Sequence, residues 1–165
     1  MMTPKVLRLL IFPLLTLAVA GAHAAELEVI VEPDNDALHS NIRAHVGDLG
    51  DRNAASLRRF ASHARDSARE AIRALGYYDG DIRYQVIEGE PPILRLEVTP
   101  GEPVRLTSVR IEVRGEGADL AAFDVPDRLR PEAGDVLNHG RYEQVKRFLR
   151  GRAQTHGFFD AEFVT

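Results

Sequence analysis

The sequence contains no cysteine and no tryptophan, and its 21 lysines and arginines fall short of its 25 aspartates and glutamates. Without cysteine there are no disulfides, thiolate metal ligands or cysteine nucleophiles. Without a basic excess there is little to hold a phosphate backbone, so nucleic acid is not an expected partner. What is present, 44% hydrophobic and 28% charged residues over 165 positions, is typical of a globular protein whose stability comes from packing.

Residues 1–24 have the three-part pattern of a secretory signal peptide. Lys5 and Arg8 precede an apolar run at 9–20, and the small residues Ala22 and Ala24 follow it. The run is much shorter than the roughly 20 residues that a helix needs to span a bilayer, which argues against a retained anchor. The sequence therefore predicts export, with cleavage after Ala24 and a mature chain outside the cytoplasm.

Residues 25–102 predict a first module with the element order strand, helix, helix, strand, strand. Spacings of three and four between apolar residues predict a short helix that ends near Gly50 and a longer one between Asn53 and Gly76. The apolar stripe of the longer helix is rich in alanine, so we expect that helix to pack closely on its neighbours. Three segments alternate apolar with polar residues, as half-buried strands do: 27–31, 82–86 and 94–98.

Residues 103–165 repeat this pattern and predict a second module. Alternation at 109–113 predicts its first strand, an amphipathic helix begins at Arg141, and 161–165 is again strand-like. Two tandem copies of one domain explain the repeat, and the second copy lacks a counterpart of the last strand of the first. The long helix of each copy ends in the same Gly-aromatic-aromatic-Asp motif: Gly76, Tyr77, Tyr78 and Asp79 in the first, Gly157, Phe158, Phe159 and Asp160 in the second.

The Gly-aromatic-aromatic-Asp motif admits two interpretations. The aromatic rings could form a stacking platform for a ligand. Alternatively, they could end the helix, with the rings wedged between helix and sheet and the aspartate capping the turn. Because the motif recurs at the same place in both modules, we favour the structural role.

The tandem modules resemble the POTRA domains of the outer-membrane-protein assembly family, and in particular those of TamA-like assembly factors. The resemblance lies in residues 74–79, 98–104 and 134–142 and in the motif at 157–160. It implies an α+β fold of tandem β-α-α-β-β modules, each a three-stranded mixed sheet covered by two helices, with the third strand central and the second at an edge. The second module is then incomplete, and we expect the sequence to be a fragment of a protein that continues into further POTRA domains and a membrane β-barrel.

The resemblance also implies a function. An edge strand presents free backbone groups to extended peptides, and the candidate residues on it are Ile82, Arg83, Tyr84, Gln85 and Val86. The implied partners are unfolded or nascent outer membrane proteins, autotransporters among them, and a TamB-like envelope protein. The protein would act in the periplasm, by strand addition or by docking in the helix groove. It would associate with the outer membrane only through the barrel, which these residues do not include.

Other interpretations stay open at this point. The modules could belong to a BamA-type assembly factor or a two-partner-secretion transporter, or they could form an envelope scaffold unrelated to protein assembly. A hydrolase that uses His45 or His63 with Asp66 is the enzymatic alternative. However, the histidines are scattered over predicted helices, and no zinc-binding or nucleophile motif accompanies them. We therefore expect no catalysis, no cofactor and no metal.

Overall fold

A computed structural model describes residues 24–164. Nearly all of the predicted signal peptide lies outside these residues, as does Thr165. None of the helices in the described part is long and apolar enough to cross a membrane. The predicted α+β class is confirmed. In chain order the elements are β1 (Glu26–Val31), α1 (Asp36–Val46), α2 (Ala54–Ala74), β2 (Asp81–Ile87), β3 (Ile93–Thr99), the 3-10 helix Ala121–Phe123 and α3 (His139–Thr155).

Local sequence signals set the ends of the first two helices. The side chains of Asn35 and Asn53 each accept a hydrogen bond from the backbone N–H three residues on, and so cap α1 and α2. α2 ends as predicted, because Gly76 adopts φ +92°, a left-handed conformation that other residues rarely take. α1 ends at Val46 rather than near Gly50, because the glycine that follows closes its last turn.

The three strands form one mixed sheet in the order β1-β3-β2. β3 runs parallel to β1, with Leu27 opposite Leu94, and antiparallel to β2, with Tyr84 opposite Leu96. The parallel pair needs a crossover connection, and the segment that contains α1 and α2 supplies it. The predicted arrangement is therefore confirmed for the first module: the third strand is central, and the second lies at an edge.

The core lies between one face of the sheet and two helices, since α1 packs on β1 and α2 packs on β2 and β3. The central strand contributes Leu94, Leu96 and Val98, which are buried, whereas Arg95 and Glu97 point to the opposite face of the sheet. Small side chains let α2 lie close to the sheet, as predicted. Its buried residues are Leu57, Ala61, Ala64, Ala68, Ala71 and Ile72.

The strand predicted at 109–113 is not formed. Val109 and Ile111 are 37% and 39% exposed, and the segment pairs with no strand among the described residues. A strand needs hydrogen bonds to a neighbour; in the first module the neighbour of β1 is β3, and no described residue of the second module corresponds to β3. Residues 161–164 likewise form no strand. Within residues 103–164, the regular secondary structure consists of the 3-10 helix, α3 and an isolated bridge between Arg105 and Val136.

Candidate functional site

The outer side of β2 is the candidate binding site, because β2 is bonded to β3 on one side only. Adjacent residues of an antiparallel strand direct their N–H and C=O groups alternately toward the partner and away from it. About half of the residues in β2 therefore direct backbone groups outward. Within residues 24–164 no backbone group outside the sheet bonds to them. We call this row of outward groups the β2 edge.

The side chains of β2 are divided between the two faces of the sheet. Ile82, Tyr84 and Val86 point toward the helices. Of these, Ile82 is buried, Val86 packs against the core and Tyr84 is 44% exposed. Arg83 and Gln85 are exposed on the opposite face. All five predicted binding residues thus lie on the edge strand, and Tyr84 is the one that presents a large, partly exposed ring.

Three arginines of α2 line the helix side of the β2 edge, and we call Arg58, Arg65 and Arg69 the arginine row. Their spacing of seven and four residues places them on one flank of the helix. Two contacts show that this flank faces β2. Arg58 forms an ion pair with Glu88, just after β2, and the guanidinium carbon of Arg65 lies 5.9 Å from the centre of the Tyr84 ring.

The arginine row is only partly neutralised. Arg65 and Arg69 both donate to Oδ1 of Asp66, at 3.0 and 3.2 Å, while Arg58 pairs with Glu88. Two carboxylates therefore serve three guanidinium groups, whose side chains are 35–53% exposed. Since an exposed ion pair contributes about 0–1 kcal/mol, a carboxylate on a ligand can exchange with these partners at little cost.

The face of the sheet opposite the helices carries an acidic excess. Near the β2 edge, Arg83 is paired with Asp81 at 3.1 Å. Further across, Nε of Arg95 donates to Oε2 of Glu28 at 2.7 Å, and this carboxylate raises the pKa of Arg95 above its ordinary value. A shallow depression on this face is lined by Asp81 and by two further acidic positions, Glu32 and Glu97.

The other edge of the sheet, along β1, is less accessible than the β2 edge. The N–H of Glu26 bonds toward the β3 side, so the N–H of the preceding Ala25 points outward, and it donates to the carbonyl of Gly50 at 2.7 Å. The loop after α1 therefore occupies the start of this edge. Pro33, which has no N–H, follows its other end.

The two aromatic positions of the Gly-aromatic-aromatic-Asp motif differ in their packing. Tyr77 packs against the core, and the ring centre of Phe158 lies 6.0 Å from that of Phe123. The second aromatic is not wedged between helix and sheet: Tyr78 is 38% and Phe159 79% exposed. Neighbouring side chains in a turn point in different directions, so only one of the two rings reaches the core. Both aspartates of the motif are exposed: Asp79 and Asp160.

Tyr78 contacts the second module instead. Its hydroxyl lies 2.8 Å from Nε2 of His139, the first residue of α3. Beside it, the N–H of Val104 donates to the carbonyl of Gly76 and the N–H of Leu137 donates to the carbonyl of Val104, both at 2.9 Å. A Cβ atom on Gly76 would lie only 2.5 Å from the Leu137 carbonyl oxygen. The end of α2 is therefore also the junction between the modules.

The residues of the enzymatic alternative have other partners. The ring centre of His63 lies 5.4 Å from that of Phe60, and Nδ1 of His45 lies 2.9 Å from the carbonyl oxygen of Asn41. Asp66 accepts from the arginine row. Within the described part of the chain, no group of three or more His, Asp or Glu residues could hold a metal ion.

The sequence interpretation missed two features of this region. The spacing of seven and four residues predicts that the arginine row lies on one flank of α2, but it does not show that this flank faces β2. The contact between Tyr78 and His139 joins residues that are 61 positions apart, and no sequence pattern predicts it.

Comparison with protein-family models gives a match that lies within the first module. Residues 28–100 match the family model for POTRA domain TamA domain 1. These residues include most of β1, both covering helices, β2 and β3. Among solved structures, the chain is similar to POTRA1-2 of the periplasmic domain of Omp85 from Anabaena, with 16% sequence identity, a TM-score of 0.35, and coverage of 86% of this chain and 84% of that one.

Proposed function

We propose that the protein is a periplasmic polypeptide-binding scaffold in outer membrane protein assembly, since residues 28–100 match the family model for POTRA domain TamA domain 1. It holds extended segments of client proteins as an added strand along the β2 edge, and it catalyses no reaction. The observation that carries this proposal is an edge strand whose outward backbone groups have no backbone partner within residues 24–164.

Strand addition suits a scaffold that handles many clients. Main-chain hydrogen bonds give affinity whatever the side chains are, and the pockets beside the strand add a limited preference. The β1 edge is partly occupied by its own chain at Ala25 and followed by Pro33, so the β2 edge is the better acceptor. An unfolded outer membrane protein offers many segments that alternate apolar and polar residues, and each of them is a candidate ligand.

The finer part of the proposal concerns particular clients and partners. We propose that autotransporters are among the clients, and that a TamB-like envelope protein is the partner that delivers or receives them. The family of the first module supports this choice. The test is competition: an unfolded autotransporter segment, or a β-rich segment of the TamB-like protein, should displace a labelled peptide from the β2 edge, and an α-helical protein of the same length should not.

Proline scanning of β2 tests the central claim. The full chain is titrated with a fluorescently labelled peptide of alternating isoleucine and threonine, and binding is followed by anisotropy. Tyr84→Pro and Gln85→Pro occupy adjacent positions, so one of them removes an N–H from the ladder with β3 and the other removes an outward N–H. The variant that lacks the outward N–H should keep the fold, as judged by circular dichroism, and should lose peptide binding.

Matched variants separate the backbone from the side chain. Tyr84→Thr and Gln85→Thr keep the N–H and a strand-forming residue, and should bind the peptide nearly as well as the original chain. If neither proline variant folds, amide hydrogen exchange on the original chain replaces them: peptide should slow exchange at alternate residues of β2. Strand addition would be excluded if both proline variants fold and bind the peptide normally. It would also be excluded if saturating peptide left amide exchange along β2 unchanged.

A further inference from the structure

The two sides of the β2 edge carry opposite charge. On the helix side, α2 contains five arginines against Asp66 and Glu70, and its arginine row lies directly beside β2. On the open side, the outward positions of the sheet hold five carboxylates against Arg83 and Arg95. Glu26, Glu28, Asp81 and Glu97 lie on the strands, and Glu32, which directly follows β1, lines the depression on the same face.

A strand added to β2 meets both sides at once. Successive side chains of a strand point to opposite faces of the sheet, so alternate residues of the added strand face α2 and the others face the open side. Those that face α2 lie next to Tyr84 and Arg65, whose contact already marks the wall of the groove. Those on the open side lie next to Arg83, which its pairing with Asp81 neutralises.

We infer that the β2 edge selects extended peptides by the facing of their charges: acidic and apolar side chains toward α2, and basic side chains toward the open face. This inference rests on the proposed strand addition, and it names the class of strand that the same site prefers. The ligand is thus a polypeptide segment in which carboxylates share one face with apolar residues while lysine or arginine occupies the other.

We call the assignment of acidic and basic side chains to the two faces of the added strand its charge facing. Charge facing matters because peptides of the same composition can meet different electrostatic potentials at the β2 edge. A peptide with equal numbers of acids and bases has no net charge, yet one facing places its carboxylates beside the arginine row and the other places its basic groups there. Cross-strand and diagonal neighbours of opposite charge attract, and like charges repel. The interaction is exposed, so added salt should weaken it.

Two peptides of identical composition test the inference. The first is Glu-Lys-Ile-Thr-Glu-Lys-Ile-Thr, in which the glutamates share a face with the isoleucines. The second, Lys-Glu-Ile-Thr-Lys-Glu-Ile-Thr, exchanges the two charges. Isoleucine favours the same facing in both peptides, because on β2 the helix side presents the partly exposed Tyr84 and Val86, whereas the open side presents Asp81, Arg83 and Gln85 and a single apolar residue, Ile87. The first peptide should bind about three- to tenfold more tightly at low salt, and the ratio should approach one as salt is raised.

Variants of α2 assign the effect to the arginine row. The double change Arg65→Gln and Arg69→Gln should reduce the ratio between the two peptides toward one. The matched control is Arg59→Gln, since Arg59 is exposed and lies about 100° around the helix from Arg58. It should leave the ratio unchanged. Circular dichroism confirms that each variant is folded.

The outcomes distinguish this inference from the proposed function. Equal binding of the two peptides, or tighter binding of the second, overturns charge facing and leaves strand addition intact. Binding of neither peptide, together with unchanged amide exchange along β2, overturns strand addition and charge facing together. A preference for the first peptide that survives in the double variant also overturns the inference, because the arginine row is then not its cause.

Discussion

The hydroxyl of Tyr78 and Nε2 of His139 lie 2.8 Å apart, and this contact joins the end of α2 in the first module to the start of α3 in the second. The equivalent position in the second module is Phe159, which has no hydroxyl and is 79% exposed. The two copies of the motif therefore differ in the residue that follows the core aromatic. In the first copy that residue makes the junction.

The junction should show measurable coupling between these two side chains. Tyr78→Phe removes the hydroxyl and should lower the free energy of unfolding by about 0.5–1.5 kcal/mol, toward the lower end because both groups are exposed. His139→Ala should cost a similar amount, and the double variant should cost less than the sum. Urea unfolding of the four proteins measures the cycle. Strict additivity would mean that the contact contributes nothing in solution.

Gly76 and Gly157 offer a direct comparison, because they occupy the same place in the two modules with φ +92° and +86°. Gly157→Ala meets no atom within 4 Å, so it should cost only the left-handed backbone, about 1–2 kcal/mol. Gly76→Ala carries that cost and also drives a Cβ into the Leu137 carbonyl, so it should be about 1–3 kcal/mol worse. Urea unfolding measures both. Equal losses of unfolding free energy in the two variants would show that the backbone at Leu137 moves away from the new Cβ atom at no cost.

The central strand should be the most sensitive part of the core. Leu96 is fully buried between sheet and helices, so Leu96→Ala leaves a cavity and should lower the free energy of unfolding by about 2–5 kcal/mol. Leu120 is 40% exposed in the second module, and Leu120→Ala should change it by about 0.5 kcal/mol or less. Thermal and urea unfolding followed by circular dichroism compare the two. A Leu96→Ala loss as small as that of Leu120→Ala would contradict the assigned core.

The alanine stripe of α2 should tolerate no enlargement. Ala68 has no exposed surface, and Ala68→Leu forces the helix away from the sheet at a cost of about 1–3 kcal/mol. Ala55 is exposed on the first turn of the same helix, so Ala55→Leu should be nearly neutral. Because α2 carries the arginine row, Ala68→Leu should also weaken peptide binding at the β2 edge. Unchanged stability in Ala68→Leu would show that the helix is not closely packed.

Several elements of the first module follow from local sequence alone. Asn53 and Gly76 bracket α2, and the structure places the helix between them. The edge position of β2 and the central position of β3, by contrast, came from the family resemblance, since alternation shows that a strand exists and does not order the strands. The sequence and the resemblance together predicted which strand carries the candidate site. They did not predict that the arginine row of α2 lies beside that strand.

The second module shows the limit of alternation as a signal. Residues 109–113 have the same pattern as β1, yet they form no strand. The pattern shows which side chains would share one face if a strand formed, whereas a strand exists only when its backbone groups find partners. The contact of Tyr78 is likewise not predictable from local sequence, because its partner, His139, lies on a helix 61 residues further along the chain.

The amino-acid order by itself determined which segments are long helices, where α2 begins and ends, and which face of each helix is apolar. These are properties of neighbouring residues: spacing, capping side chains and glycine conformations act over a few positions. The tertiary structure alone decided that Arg65 lies over Tyr84, that Tyr78 meets His139 and that 109–113 has no partner strand among residues 24–164. Such relationships depend on which surfaces come together across long stretches of chain, because hydrogen bonds and ion pairs form only between groups that the whole fold brings within a few ångströms.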